Sequence, residues 1–77
     1  MRQAERRLRI LYVRDILSAC VGPDRMITMS ELLARLGEKG IAAERKSVYG
    51  DLRVLEQYGI RVCRARRGRF SGYFVQK

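Results

Sequence analysis

Residues 44–58 read ERKSVYGDLRVLEQY, Glu44 to Tyr58, and Gly59 follows. Val48, Leu52 and Leu55 recur at the three- and four-residue spacing of an amphipathic helix. At about 100° per residue these three share one side, with Asp51 and Tyr58 flanking them. The opposite side carries Lys46, Gly50, Arg53 and Gln57. Tyr49 and Arg45 lie along one border of that side and Ser47 along the other. The helix therefore has a core edge and a basic, hydrogen-bonding edge. Gly50 sits in the basic edge, where it costs about 1 kcal/mol of helix propensity against alanine. Gly59 stops the helix.

Upstream, ITMSELLARL places Glu31 three residues after Thr28, the pattern of a capping box. Ile27 before the cap and Leu32 after it are placed to form a hydrophobic staple. Leu32, Leu33 and Leu36 are expected to face the core, with Gly40 as the stop and Ile41 packing back on the helix. Gly37 is an irritant inside this helix and offers an alternative, earlier end. Ile41, Ala42, Ala43 and Glu44 join this helix to the next, as in a helix-turn-helix.

The first helix is expected from about Gln3 to Cys20. Leu8, Leu11, Tyr12, Ile16 and Cys20 set its apolar face, and Ile10, Val13 and Leu17 widen it. Arg2, Arg6, Arg7, Arg9 and Arg14 lie around its polar side, with the first four read as a solvated face. Val21, Gly22, Pro23 and Asp24 break it.

Downstream, Ile60, Val62 and Arg64 alternate with Arg61, Cys63 and Ala65 at strand spacing. Arg66 to Gly72 reads as a turn, and Tyr73, Phe74 and Val75 as a second strand. The result is a β-hairpin with a basic tip of Arg64, Arg66, Arg67 and Arg69, and no acid from Ile60 onward. The expected fold is mainly α with a small β-hairpin: three helices plus a wing, a winged helix-turn-helix over residues 1–77.

Composition narrows the function. Seventy-seven residues make one domain. A formal charge of +9 and a pI near 10.6 favour an anionic partner. With no histidine the usual general base is missing, and the eight acids are scattered, so no enzyme is expected. Cys20 and Cys63 form no CxxC, and they read as small reduced hydrophobes rather than metal ligands. No cofactor, metal or small-molecule ligand is expected. No apolar run approaches the ~20 residues needed to span a bilayer. Arg9, Arg14 and Asp15 interrupt any signal-peptide stretch, so the expected compartment is the cytoplasm, with no membrane partner.

The run TMSELLARLGEKGIAAERKSVYGDLRVLEQYGIRV, followed by GRFSGYFV, resembles the N-terminal DNA-binding domain of bacterial WYL-domain transcriptional regulators, relatives of the DeoR-type winged helices. That family carries Arg-Lys-Thr-Val-Tyr-Arg-Asp-Leu on its recognition helix, a Leu-Glu-x-x-Gly end and a glycine-rich turn before a Tyr-Tyr-Leu strand. Arg45, Lys46, Ser47, Val48, Tyr49, Asp51, Leu52, Leu55, Glu56, Gly59, Gly72, Tyr73 and Phe74 match it. Two positions depart: Glu44 stands where the family has a Ser or Thr cap, and Gly50 where it has a long polar residue. Arg53, on the same face as Gly50, is placed to take over part of the lost contact. The family's downstream effector-sensing and dimerising region is not in this chain, which reads either as an excised domain or as a short relative. Any homodimer would form only through such absent regions.

The resemblance implies sequence-specific binding of double-stranded DNA. The third helix would enter the major groove N-terminus first. Arg45, Lys46 and Arg53 are suited to guanine, while Ser47 and Tyr49 are better suited to phosphates. Tyr49 reads equally as a core-margin aromatic. Gly50 belongs to the same surface, and Arg66, Arg67 and Arg69 would lie against the DNA backbone or minor groove. Asp51, at the border of the core edge, is expected to orient a neighbouring arginine. The alternative is a winged-helix module for protein association or RNA binding.

Overall fold

A computed structural model describes residues 3–76. The order of elements is α1 (Gln3–Ser18), a 3-10 turn (Pro23–Arg25), β1 (Ile27–Thr28), α2 (Met29–Glu38), α3 (Arg45–Tyr58), β2 (Val62–Arg67) and β3 (Phe70–Val75). Three helices pack with a three-stranded antiparallel sheet of order β1-β3-β2. The architecture is mixed α/β rather than mainly α with a hairpin alone. The difference is β1: two residues are too few to show strand periodicity in the sequence, yet Ile27 pairs with Tyr73 and Thr28 with Gly72.

Local chemistry sets both ends of α2. At the start of α2, the Thr28 side chain accepts the Glu31 N–H at 3.1 Å. The Glu31 carboxylate in turn accepts the Thr28 N–H at 3.1 Å, which completes the capping box. At its other end Gly40 takes a φ of 79°. The Gly40 N–H reaches the Gly37 carbonyl and the Ile41 N–H reaches that of Leu36. This doubly bonded stop turns Ile41 back into the core. Gly37 does not end the helix, because the ladder runs through it to Glu38. The α3 helix begins at Arg45 without a side-chain cap from Glu44.

The core is built from Val13 and Leu17 of α1, Cys20 just past the helix, which ends at Ser18 rather than at Cys20, Ile27, Met29, Leu32 and Leu36, Ile41, Val48, Leu52 and Leu55, and Tyr73 and Val75. Val13, Leu17, Leu32, Leu36 and Val48 are fully buried. Each such side chain contributes roughly 1.5–3 kcal/mol relative to exposure. The apolar face expected on α1 is rotated. Leu8 and Leu11 remain 45% exposed, while Arg9 is only 6% exposed. Arg9 is thus not part of a solvated face: it lies one turn from Val13 on the inward side, where a carboxylate meets it. Arg2 lies outside the described residues. Cys20 and Cys63 are free thiols, the first buried and the second partly so.

The hairpin turn is tighter than the expected Arg66–Gly72. Arg67 pairs directly with Phe70, which leaves only Gly68 and Arg69 in the loop. Gly68 has a φ of 60° and Arg69 does not have a positive φ. A glycine at the first position of a two-residue loop is what a type II′ hairpin turn demands. Gly72 consequently lies inside a strand, between Ala65 on β2 and Thr28 on β1. A Cβ there would stand 2.9 Å from Met26 Cγ and Sδ, so the missing side chain lets Met26 lie over the sheet.

Candidate nucleic-acid interface

Strand alternation decides which hairpin residues look at α3. Cross-strand partners share a face, so Arg64 sits beside Tyr73 and Arg66 beside Ser71 on one side of the sheet. Tyr73 is buried in the core, which fixes that side as the one turned toward the helices. Arg64, Ala65, Arg66, Ser71 and Tyr73 form one wall of an open hollow, and Lys46, Tyr49, Gly50 and Arg53 of α3 form the other. Four cations line this hollow and no carboxylate does.

Two aromatic rings organise it. Tyr49 and Tyr73 meet edge to face, with centroids 6.5 Å apart and planes at 66°. The Arg64 guanidinium carbon lies 5.8 Å from the centre of the Tyr73 ring, a distance at which the charge is attracted to the ring face. Burial pushes the Tyr73 phenol above the usual tyrosine range, and its hydrogen bond with Tyr49 adds to the rise. Tyr73 is therefore a neutral hydroxyl at neutral pH. Tyr49 packs its ring edge against Tyr73 at the core margin and also lines the hollow.

The tyrosine pair also borders a second hollow, lined by Thr28, Ser30, Glu31, Arg45, Arg67, Arg69 and Phe70 among others. Arg45 Nη2 donates to Ser30 Oγ at 3.4 Å. Arg67 Nη2 lies 3.9 Å from Asp24 Oδ1 on the 3-10 turn, with both groups exposed. This hollow mixes arginines with the Glu31 carboxylate. The Thr28 hydrogen bonds hold that carboxyl below its ordinary range, backbone N–H first.

The sequence-derived set is thus divided. Lys46, Tyr49, Gly50, Arg53 and Arg66 come together, while Arg45, Arg67 and Arg69 belong to the second hollow. Ser47 joins neither: it is half-buried beside Arg6, Arg9, Ala42 and Glu44, on the α1 side of α3. Arg64, Ser71, Tyr73 and Ser30 were not in the set and line the hollows. Arg64, expected at the hairpin tip, stands instead within β2, opposite Tyr73. The signal that locates it is the Gly68–Arg69 dipeptide, since a two-residue turn sets Arg64 opposite Tyr73.

Among the described residues no three His, Cys, Asp or Glu side chains come together as metal ligands, and no helix is long and apolar enough to cross a membrane. No family model, curated protein or solved structure matches the chain.

Proposed function

We propose that this chain is a winged helix-turn-helix domain that binds double-stranded DNA, as the DNA-binding part of a cytoplasmic bacterial transcriptional regulator. The observation that carries this reading is the hollow between α3 and β2, where Lys46, Arg53, Arg64 and Arg66 converge without an intervening acid. Its lining alternates cations with hydroxyls and aromatic edges, a set suited to phosphates and bases. The other support is the resemblance of residues 28–62 and 68–75 to the WYL-regulator domain. In this reading α2 and α3 are the helix-turn-helix, α3 enters the major groove, and β2 and β3 are the wing.

A second reading, association with an acidic protein, is favoured by Tyr58 and Phe70, which are 76% and 67% exposed. Selection of bound duplexes from a random pool, in the presence of excess RNA, separates the two. An enriched site, with affinity that falls steeply as salt rises, supports the DNA reading. Failure to enrich any site, together with loss of binding to RNA competitor, refutes it.

A further inference from the structure

Most of the glycines have a reason within the fold. Gly22, Gly40, Gly59 and Gly68 hold positive φ, and Gly72 makes room for Met26. Gly50 has neither reason. It lies in the middle of α3 with ordinary helical φ, and nothing stands within 4 Å of the position a Cβ would take. An alanine would fit there and would favour the free helix. Gly37 is equally unconstrained but lies next to the last residue of α2 and borders neither hollow described above.

Gly50 differs in its surroundings. Lys46 is one turn before it and Arg53 one turn after, both on the same face. Arg64 and Arg66 face it from β2 across the hollow. The Tyr73 ring holds the Arg64 guanidinium at 5.8 Å, and the Tyr49–Tyr73 pair closes one side of the space. Four positive charges therefore surround a strip of helix that has no side chain at its centre.

We propose that this hollow seats one sugar–phosphate strand of the duplex. The strand passes closest to α3 at Gly50, with Lys46, Arg53, Arg64 and Arg66 as its phosphate partners. The proposal rests on the DNA reading above and deepens it: Arg64, rather than the hairpin tip, is the main phosphate contact of the wing. Lys46 and Arg53 then position the protein on DNA, and the discrimination between bases falls to groups outside this hollow.

The test titrates fluorescent oligonucleotides with the parent chain and with Gly50→Ala, Arg64→Gln and Arg64→Lys, over a series of salt concentrations. The probes are a mixed-sequence DNA duplex, one of its single strands and an RNA hairpin. Gly50→Ala is expected to melt higher, by about 4 °C or more, because the free helix gains propensity. It is expected to bind the duplex about tenfold more weakly, because the added methyl holds the strand off the phosphate contacts around it. Arg64→Gln is expected to reduce the slope of log affinity against log salt by about 0.9, and Arg64→Lys to preserve it.

Duplex affinity in Gly50→Ala equal to that of the parent overturns the close approach. An unchanged salt slope in Arg64→Gln overturns the strand seat. If Gly50→Ala proves unstable, the two Arg64 variants, which leave the helix backbone alone, decide the matter. A parent chain that binds only single strands or RNA, with the same dependence on Gly50 and Arg64, removes the duplex reading and keeps the seat. A parent chain that binds none of the three removes both.

Discussion

Arg9 and Asp51, 42 residues apart in sequence, form a two-pronged ion pair between α1 and α3: Nη2 donates to Oδ1 at 2.8 Å and Nε to Oδ2 at 2.5 Å. The two residues are only 6% and 3% exposed. The carboxylate that the α3 sequence placed at the border of the core is therefore the anchor of that helix on α1. The pair sets how α3 is turned, and so where Lys46, Gly50 and Arg53 point. Its hydrogen bonds to Asp51 hold the Arg9 guanidinium firmly protonated against the effect of burial.

Breaking this pair is expected to be severe. Asp51→Ala takes the carboxylate from a buried guanidinium, and a loss of about 3–5 kcal/mol is expected. Arg9→Met combined with Asp51→Leu is expected to recover much of that loss, because no buried charge then remains. Urea denaturation of the parent, Arg9→Met, Asp51→Leu and the double variant measures the coupling. Additive losses would show that the two side chains do not depend on each other.

The α2 cap has a signature in pH. Glu31 titrates below its ordinary value of 4.5 because the Thr28 hydrogen bonds favour the carboxylate. A depressed folded-state pKa stabilises the fold above the unfolded value, and that contribution is lost as pH falls through the folded value. Glu31→Gln is therefore expected to be less stable than the parent at pH 7, with the gap closing below about pH 4. Thr28→Ala is expected to cost about 1 kcal/mol at pH 7. Thermal melts at several pH values check both.

Lys46→Ala and Arg53→Ala are expected to weaken duplex binding by about 1–3 kcal/mol each while leaving the melting temperature near that of the parent. Both side chains are exposed and lie opposite Val48, Leu52 and Leu55. If the two contact phosphates, the loss appears on every duplex sequence. If they read bases, it appears only on the preferred site. Equal affinity for parent and variants on all duplexes would show that this face of α3 is not used.

The hairpin arginines are expected to differ among themselves. Arg66 lines the cationic hollow, whereas Arg67 reaches Asp24 on the 3-10 turn. Arg66→Gln should reduce the salt slope by about 0.9, and Arg67→Gln by less. Thermal stability should hardly change in either, since both side chains are exposed. Equal slopes for the two variants would mean that the side of the hairpin on which an arginine stands does not matter.

Gly72→Ala is expected to destabilise the fold by about 1–3 kcal/mol through overpacking. The new methyl would press on Met26 and stand 3.1 Å from the Ile27 carbonyl oxygen. Adding Met26→Ala should return part of the loss, since it removes the nearer obstacle. Circular-dichroism melts of the single and double variants measure this.

How far the sequence was legible depended on whether a signal was local. Thr28 with Glu31, and Gly40 with Ile41, mark the limits of α2 because the atoms that satisfy each end lie within a few residues. The two edges of α3 followed from periodicity alone. Arg9 was misread because its partner is far away in sequence, and an arginine beside other arginines resembles solvated surface. Leu8 and Leu11 misplaced the α1 face because apolar residues surround that helix, so spacing did not fix its rotation. The hairpin register was lost when Gly72 was read as a turn residue; its role comes from Met26 on a different segment.

The sheet order has a bearing on how the chain is assembled. The central strand, β3, is the last in sequence, and Val75 also bonds back to Cys20 and Gly22, just beyond α1. A growing chain that has emerged as far as residue 67 holds all three helices but not one completed strand pair. Ile27 and Thr28 then wait for partners made more than forty residues later. The groove-forming wall of Arg64 and Arg66 gains its backing only when Tyr73 arrives. The cationic hollow and the sheet are thus completed by the same segment, Phe70–Val75.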